Sequence, residues 1–163
     1  FADTQADLRL SIGSKLFPSM LAADLHITQK KGSDGALQLL VVYRQNPQLA
    51  ELVSDKLATV SDVRGMPLRI TPISQFMLAE SDVGVVAGIF VAEDLHSDLA
   101  QLLEFAGKHK VILFSPYEGD VERGAHGGVA VRDHILPYIN ITALRLADIQ
   151  LKSFFLRVAE QYE

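Results

Sequence analysis

Short apolar, β-branched runs alternate along this chain with segments whose apolar positions recur at helical spacing. Those two periods separate buried strands from amphipathic helices. Asp7 to Leu25 carries Leu8, Ile12, Leu16, Met20 and Leu21 as a helical stripe, with a kink or break expected near Pro18. A turn at Lys30–Gly35 leads into Ala36–Tyr43 (ALQLLVVY), which reads as a strand buried on both faces. Pro47 suits the first turn of a helix with its apolar face at Leu49, Leu52, Val53, Leu57 and Val60. Strands are predicted at Pro67–Ile73 and Val83–Val91. A helix capped by Ser97 or Asp98 follows, with Leu99, Leu102, Leu103 and Phe105 on its core face and a stop near Gly107. Val111–Phe114 is the next strand. Beyond a charged loop, Val129–Val131 and Ile135–Ile141 read as an extended pair, and short helices at Thr142–Asp148 and Leu151–Tyr162 close the chain.

Alternating buried strands and helices predict an α/β fold. We expect a single three-layer domain over residues 1–163: a mostly parallel sheet flanked by helices, with room for an antiparallel edge strand near the C-terminus.

Composition narrows the function without naming it. The chain has 163 residues, 48% hydrophobic and 21% charged, which suits a folded domain with a substantial core. Its net charge of −5 is the wrong sign for a nucleic-acid backbone binder, and no apolar run is long enough to span a membrane. Zero cysteines exclude disulfides, thiol catalysis and thiolate metal sites. Phe1 stands where a Met would, so a processed or trimmed chain is expected, as after removal of a signal peptide.

Ligands of doubly wound sheets bind beyond the carboxyl ends of the strands. Here those ends carry Arg44-Gln45-Asn46, Glu93-Asp94 and Ser115-Pro116-Tyr117-Glu118, which makes Arg44, Glu93, Ser115 and Tyr117 candidates for a small-molecule pocket. Exposed loops are polar at such ends in any case. The glycines at 119, 124, 127 and 128 fit no phosphate-loop spacing and are expected to serve turns. Glu118, Asp120, Glu122 and His126 could offer ligands to a divalent ion, but at no established spacing, and Arg123 could neutralise the same carboxylates. Ser115 with His126 or His134 would be a nucleophile and base without the usual elbow motif. No catalytic, cofactor-binding or metal-binding residue is assigned on these grounds, and no cofactor is expected.

The stretch Val111–Val131 resembles the YfiR-like periplasmic proteins. The shared pattern is a strand leading to a serine (Val111–Ser115), a loop through His126, and Gly127-Gly128 opening a strand. The closing segment also matches: Ile139-Asn140-Ile141, a short helix at Ala143–Asp148, and an apolar end at Ile149–Ala159. The N-terminal half agrees in element order. The chain departs from the family in lacking cysteine, in a longer and more charged 115–126 loop, and in Pro137-Tyr138. The resemblance implies a non-catalytic periplasmic regulator or sensor that controls a membrane-bound signalling enzyme, a diguanylate cyclase, by protein–protein contact. It also implies a tendency to homodimerise. Glu118, Asp120, Glu122, Arg123 and His126 then join the pocket residues as candidates for partner or ligand contact. Two alternatives stand beside this reading: a periplasmic small-molecule-binding protein with a strand-end pocket, and a metal-dependent or hydrolytic enzyme using the 118–126 loop.

Overall fold

The computed structural model describes residues 4–78 and 81–163, so Phe1 and the two residues after it lie outside the described residues. Helix α1 (Thr4–Ala23) precedes strand β1 (Leu37–Tyr43), α2 (Pro47–Leu57), a short β2 (Asp62–Val63), β3 (Met66–Ser74) and a single turn, α3 (Gln75–Leu78). Then come β4 (Gly88–Val91), α4 (Leu99–His109), β5 (Ile112–Phe114), the one-turn α5 (Asp120–Arg123), β6 (Gly127–Val131) and β7 (Ile135–Asn140). Helices α6 (Ile141–Leu146) and α7 (Ser153–Val158) and strand β8 (Glu160–Tyr162) complete the chain.

The strands form one sheet in the order β2-β3-β1-β4-β5-β6-β7-β8. The five strands from β3 to β6 in that order run parallel. Period-2 alternation sends neighbouring residues to opposite faces. Leu37, Leu39 and Val41 of β1 join Phe90, Phe114, α1, α2, α6 and α7 in one core. Leu40 and Val42 join Ile89, Val91, Leu113 and α4 in the other. The predicted α/β architecture is therefore present, with helices on both sides of a mostly parallel sheet.

Three details differ from the sequence pattern. Helix α1 runs unbroken through Pro18. Its buried stripe is Leu10, Phe17, Met20 and Leu21, while Leu8 stays about half exposed. Packing of that stripe on the sheet outweighs the lost hydrogen bond. The antiparallel strand β7 is not at the edge, because β8 adds outside it, parallel to β7. The final helix accordingly stops at Val158. Only Phe155 of its aromatic pair is buried, and Phe154 and Val158 face outward.

Gly127 and Gly128 are not turn residues. A Cβ on Gly127 would collide with Met20 Sδ, and one on Gly128 would lie 2.6 Å from the Ser115 carbonyl oxygen. The pair lets α1 and the 115–121 loop approach the backbone of β6. Gly119 (φ +90°) and Gly124 (φ +127°) do serve turns, at the two ends of α5.

Candidate functional site at the carboxyl edge

Strand β1 lies between β3 and β4, so chain order reverses beside it, and the carboxyl ends of β1 and β4 flank the resulting crevice. The chain itself fills that crevice. Glu93 Oε1 accepts hydrogen bonds from the backbone N–H groups of Arg44, Gln45 and Asn46, each at 2.8 Å. These amides lead into α2, whose N-cap is Asn46. A carboxylate is well placed there, against unsatisfied donors and the positive end of the helix. Burial penalises the Glu93 charge, but the three N–H groups and the Arg44 guanidinium outweigh it and hold the pKa below the usual value. Arg44 itself turns to Asp98, with Nε 3.2 Å from the carboxylate.

Glu93→Ala is expected to cost about 2 kcal/mol at pH 7, since hydrogen bonds to a charged group are each worth about 1.5–3 kcal/mol but water can replace part of them here. The lowered pKa means that this stability is present above the unfolded carboxylate's pKa and disappears as pH falls through the folded one. Urea denaturation at pH 7 and pH 3 checks it. Equal stability of variant and wild type at pH 7 would show that the carboxylate does not hold these amides.

Next to the crevice, the polar residues after β5 turn inward. Ser115 is fully buried, donates to Asp120 Oδ2 at 2.6 Å and accepts from the Tyr117 N–H at 3.2 Å. Asp120 is 1% exposed, and its Oδ1 accepts from Arg123 at 3.0 Å. Burial raises the Asp120 pKa, against the pull of the Ser115 hydroxyl and Arg123. Tyr117 reaches back to donate to the Ala92 carbonyl at 2.7 Å, and burial pushes its pKa up. His126 completes the β5–β6 ladder. Its side-chain Nδ1 accepts from the Leu113 N–H at 2.9 Å while its backbone N–H donates to the Leu113 carbonyl at 3.0 Å. An acceptor Nδ1 fixes the neutral tautomer with the proton on Nε2. Burial, helped by the Lys30 charge, lowers the His126 pKa to about 4.

Ser115 therefore bonds to Asp120, not to His126. Among the described residues, no three His, Cys, Asp or Glu side chains gather as a metal site would require. Glu118, Asp120, Glu122 and His126 do not converge, because Asp120 and His126 are buried while Glu118 and Glu122 are exposed.

Two clefts lie on the surface here: one of about 440 Å³ beside Leu99, Leu103 and Arg123, and one of about 210 Å³ whose walls include Arg9, Tyr117, Glu118, Glu122, Arg132 and Tyr138. Arg9, from the first turns of α1, donates to the carbonyls of Pro116 and Val129, both at 2.7 Å. Burial pulls its pKa down, opposed by Glu118 and Glu122. Tyr138 donates to Glu122 at 3.3 Å, and Arg132 pairs with Glu160 at 2.6 Å.

No protein-family model matches the chain, and no curated protein matches it. Solved structures do. One is a crystal structure of an ABC domain from Streptococcus pneumonia in complex with L-Trp, with a TM-score of 0.60 and 12% sequence identity. The match covers 91% of this chain and 61% of that one, so the chain spans under two thirds of its length. At this identity the likeness is one of fold.

The sequence pattern missed Arg9, Arg132 and Tyr138. Arg9 had a legible signal, since it falls four residues before Gly13 and eight before Phe17, on the buried stripe of α1. A basic residue on a buried stripe has to find acceptors. Tyr138 stands directly across the β6–β7 ladder from Gly128, a pairing that only the strand register reveals.

Proposed function

We propose that this chain is a non-catalytic regulatory domain of the YfiR-like kind, acting in the periplasm by protein–protein contact with a membrane-bound signalling enzyme, a diguanylate cyclase. One observation carries the reading: the reactive-looking groups at the carboxyl edge bond inward, and the cleft formed by Glu118, Glu122, Arg132 and Tyr138 is small and lined with charges of both signs. Its 210 Å³ falls below the range of about 300–1,000 Å³ common for small-molecule sites. It suits one or two side chains of a partner, with rim charges setting specificity and association rate. The surface for this contact is Glu118, Glu122, Arg132 and Tyr138, with Arg9 beneath. Asp120, Ser115 and His126 support it from inside.

The small-molecule alternative draws on the L-Trp complex of the structural neighbour. Against it stands Glu93, which already occupies the amides that a ligand's carboxylate would use at the strand ends. For the hydrolytic or metal-dependent alternative, Ser115 pairs with Asp120 rather than a histidine, and among the described residues no ligand set gathers.

Replacing Glu118, Glu122 and Arg132 together by Ala tests the proposal. Recovery of a membrane enzyme from detergent-solubilised membranes is expected to fall about tenfold. Thermal stability should stay close to wild type, since exposed substitutions usually cost within about 0.5 kcal/mol. Undiminished recovery would contradict the assignment of this cleft as the contact.

A further inference from the structure

The opposite, amino edge of the sheet has a different chemistry. An open groove of about 430 Å³ runs there between Leu25, Ile141, Leu144, Ile149, Leu151 and Leu156, with Arg145 and Asp148 on its rim. It adjoins a second cleft, of about 260 Å³, through Asp148; His26, Lys30 and Lys110 line that one. The two are tied together by Lys110–Asp148 at 3.2 Å and by the Leu25 N–H donating to the Gln150 carbonyl at 2.9 Å.

Three segments build this edge: Asp24–Lys31, Lys108–Lys110 and Arg145–Lys152. Together they hold six lysines and arginines against two aspartates, in a chain whose net charge is −5. One of those aspartates, Asp24, is fully buried and paired with Lys30 at 2.5 Å. Lys31, Lys108 and Arg145 are exposed, and among the described residues their side chains form no ion pair. Neutralising the end of α4 accounts for Lys108. Arg145 stands likewise in the last turn of α6, whereas Lys31 follows neither helix.

Apolar side chains project from the same edge. Leu146 is 83% exposed and Leu25 is 48% exposed, both next to cations rather than to partners. Aliphatic tips ringed by lysine and arginine fit a surface that is anionic outside and apolar beneath. We infer that the amino edge, from Leu25 and Lys31 across to Arg145 and Leu146, is a docking face for an anionic lipid bilayer. The cations meet the headgroups, Leu25 and Leu146 enter the acyl boundary, and the groove receives lipid chain. This goes beyond the proposed function and does not depend on it. It adds that the carboxyl-edge cleft would point away from the membrane.

The test is co-sedimentation with phosphatidylglycerol vesicles and with phosphatidylcholine vesicles, in low salt and in about 0.5 M salt, where screening is strong. The wild-type chain should bind only the anionic vesicles, and only in low salt. Lys31→Glu with Arg145→Glu should weaken binding at least about tenfold, given the contribution of each basic residue near such a surface. Leu146→Ser should also weaken it, while Glu118→Ala at the other edge should leave it unchanged. All these positions are exposed, so circular dichroism should report a folded chain in every case. No binding to phosphatidylglycerol, or binding that survives the charge reversals, overturns the inference. If the Glu118→Ala control abolished vesicle binding, the docking face would be misplaced. Partner capture by the carboxyl edge can fail without touching any of these outcomes.

Discussion

Phe90→Ala is expected to lower stability by about 4 kcal/mol, the largest single loss we foresee. Phe90 is fully buried under α1, stacked on Phe114 at 5.6 Å between ring centroids, with Phe17 tilted against it at 5.5 Å. Phe17 and Phe114 are themselves 5.8 Å apart, so each of the three rings touches the other two. Truncating one removes its transfer energy and leaves a cavity between two stiff neighbours, a change that typically costs about 3–5 kcal/mol. Against the roughly 5–15 kcal/mol of an ordinary domain this is a large fraction. Phe154→Ala is the matched control. That ring is 51% exposed, and its loss should cost well under about 1 kcal/mol. Chemical denaturation of both variants checks the pair. A Phe90→Ala loss below about 2 kcal/mol would mean that the three rings are not the centre of this core.

The second large effect is an acid transition set by His126. Burial holds its folded pKa near 4, below the ordinary value of 6.5. Between those two pH values the unfolded chain takes up a proton that the folded chain refuses, so stability falls as pH falls. At about 1.4 kcal/mol per pKa unit, the loss is roughly 3 kcal/mol between pH 6.5 and pH 4. His126→Asn keeps an acceptor for the Leu113 N–H and cannot titrate. The wild-type minus variant difference across that range therefore isolates His126. Glu93 and Asp34, with lowered pKa values, act in the same direction at lower pH, and the raised Asp120 opposes them; all three cancel in the difference. Parallel pH profiles for the two proteins would contradict the buried neutral imidazole.

Long apolar runs made the centre of the fold legible. Leu37–Tyr43 is buried on both faces, so its pattern is an apolar stretch broken only by the buried Gln38, which reads as a central strand. The C-terminal edge was not legible for the converse reason. Residues 160–162 (Glu-Gln-Tyr) have no apolar period and become a strand only because β7 offers an open ladder. The candidate site was half legible. The loop residues drew attention by type, and Glu93 and Arg44 do meet at the strand ends. But Ser115 and Asp120 bond each other and His126 bonds the β5 backbone at Leu113, all out of reach of solvent, which composition does not distinguish from polarity facing water. Arg9, more than a hundred residues away in sequence, enters the cleft only through the packing of α1 on β6.

The central claim is that the cleft around Glu118 and Glu122 is a partner contact. The most direct measurement places a photo-crosslinking amino acid at position 118, and in a second protein at position 52, an exposed site on α2. Each is illuminated in membranes, and the adduct is identified by mass spectrometry. The account predicts a crosslink from position 118 to the periplasmic domain of a membrane-bound signalling enzyme, and none from position 52. No adduct from position 118, or the same adduct from both positions, would contradict it.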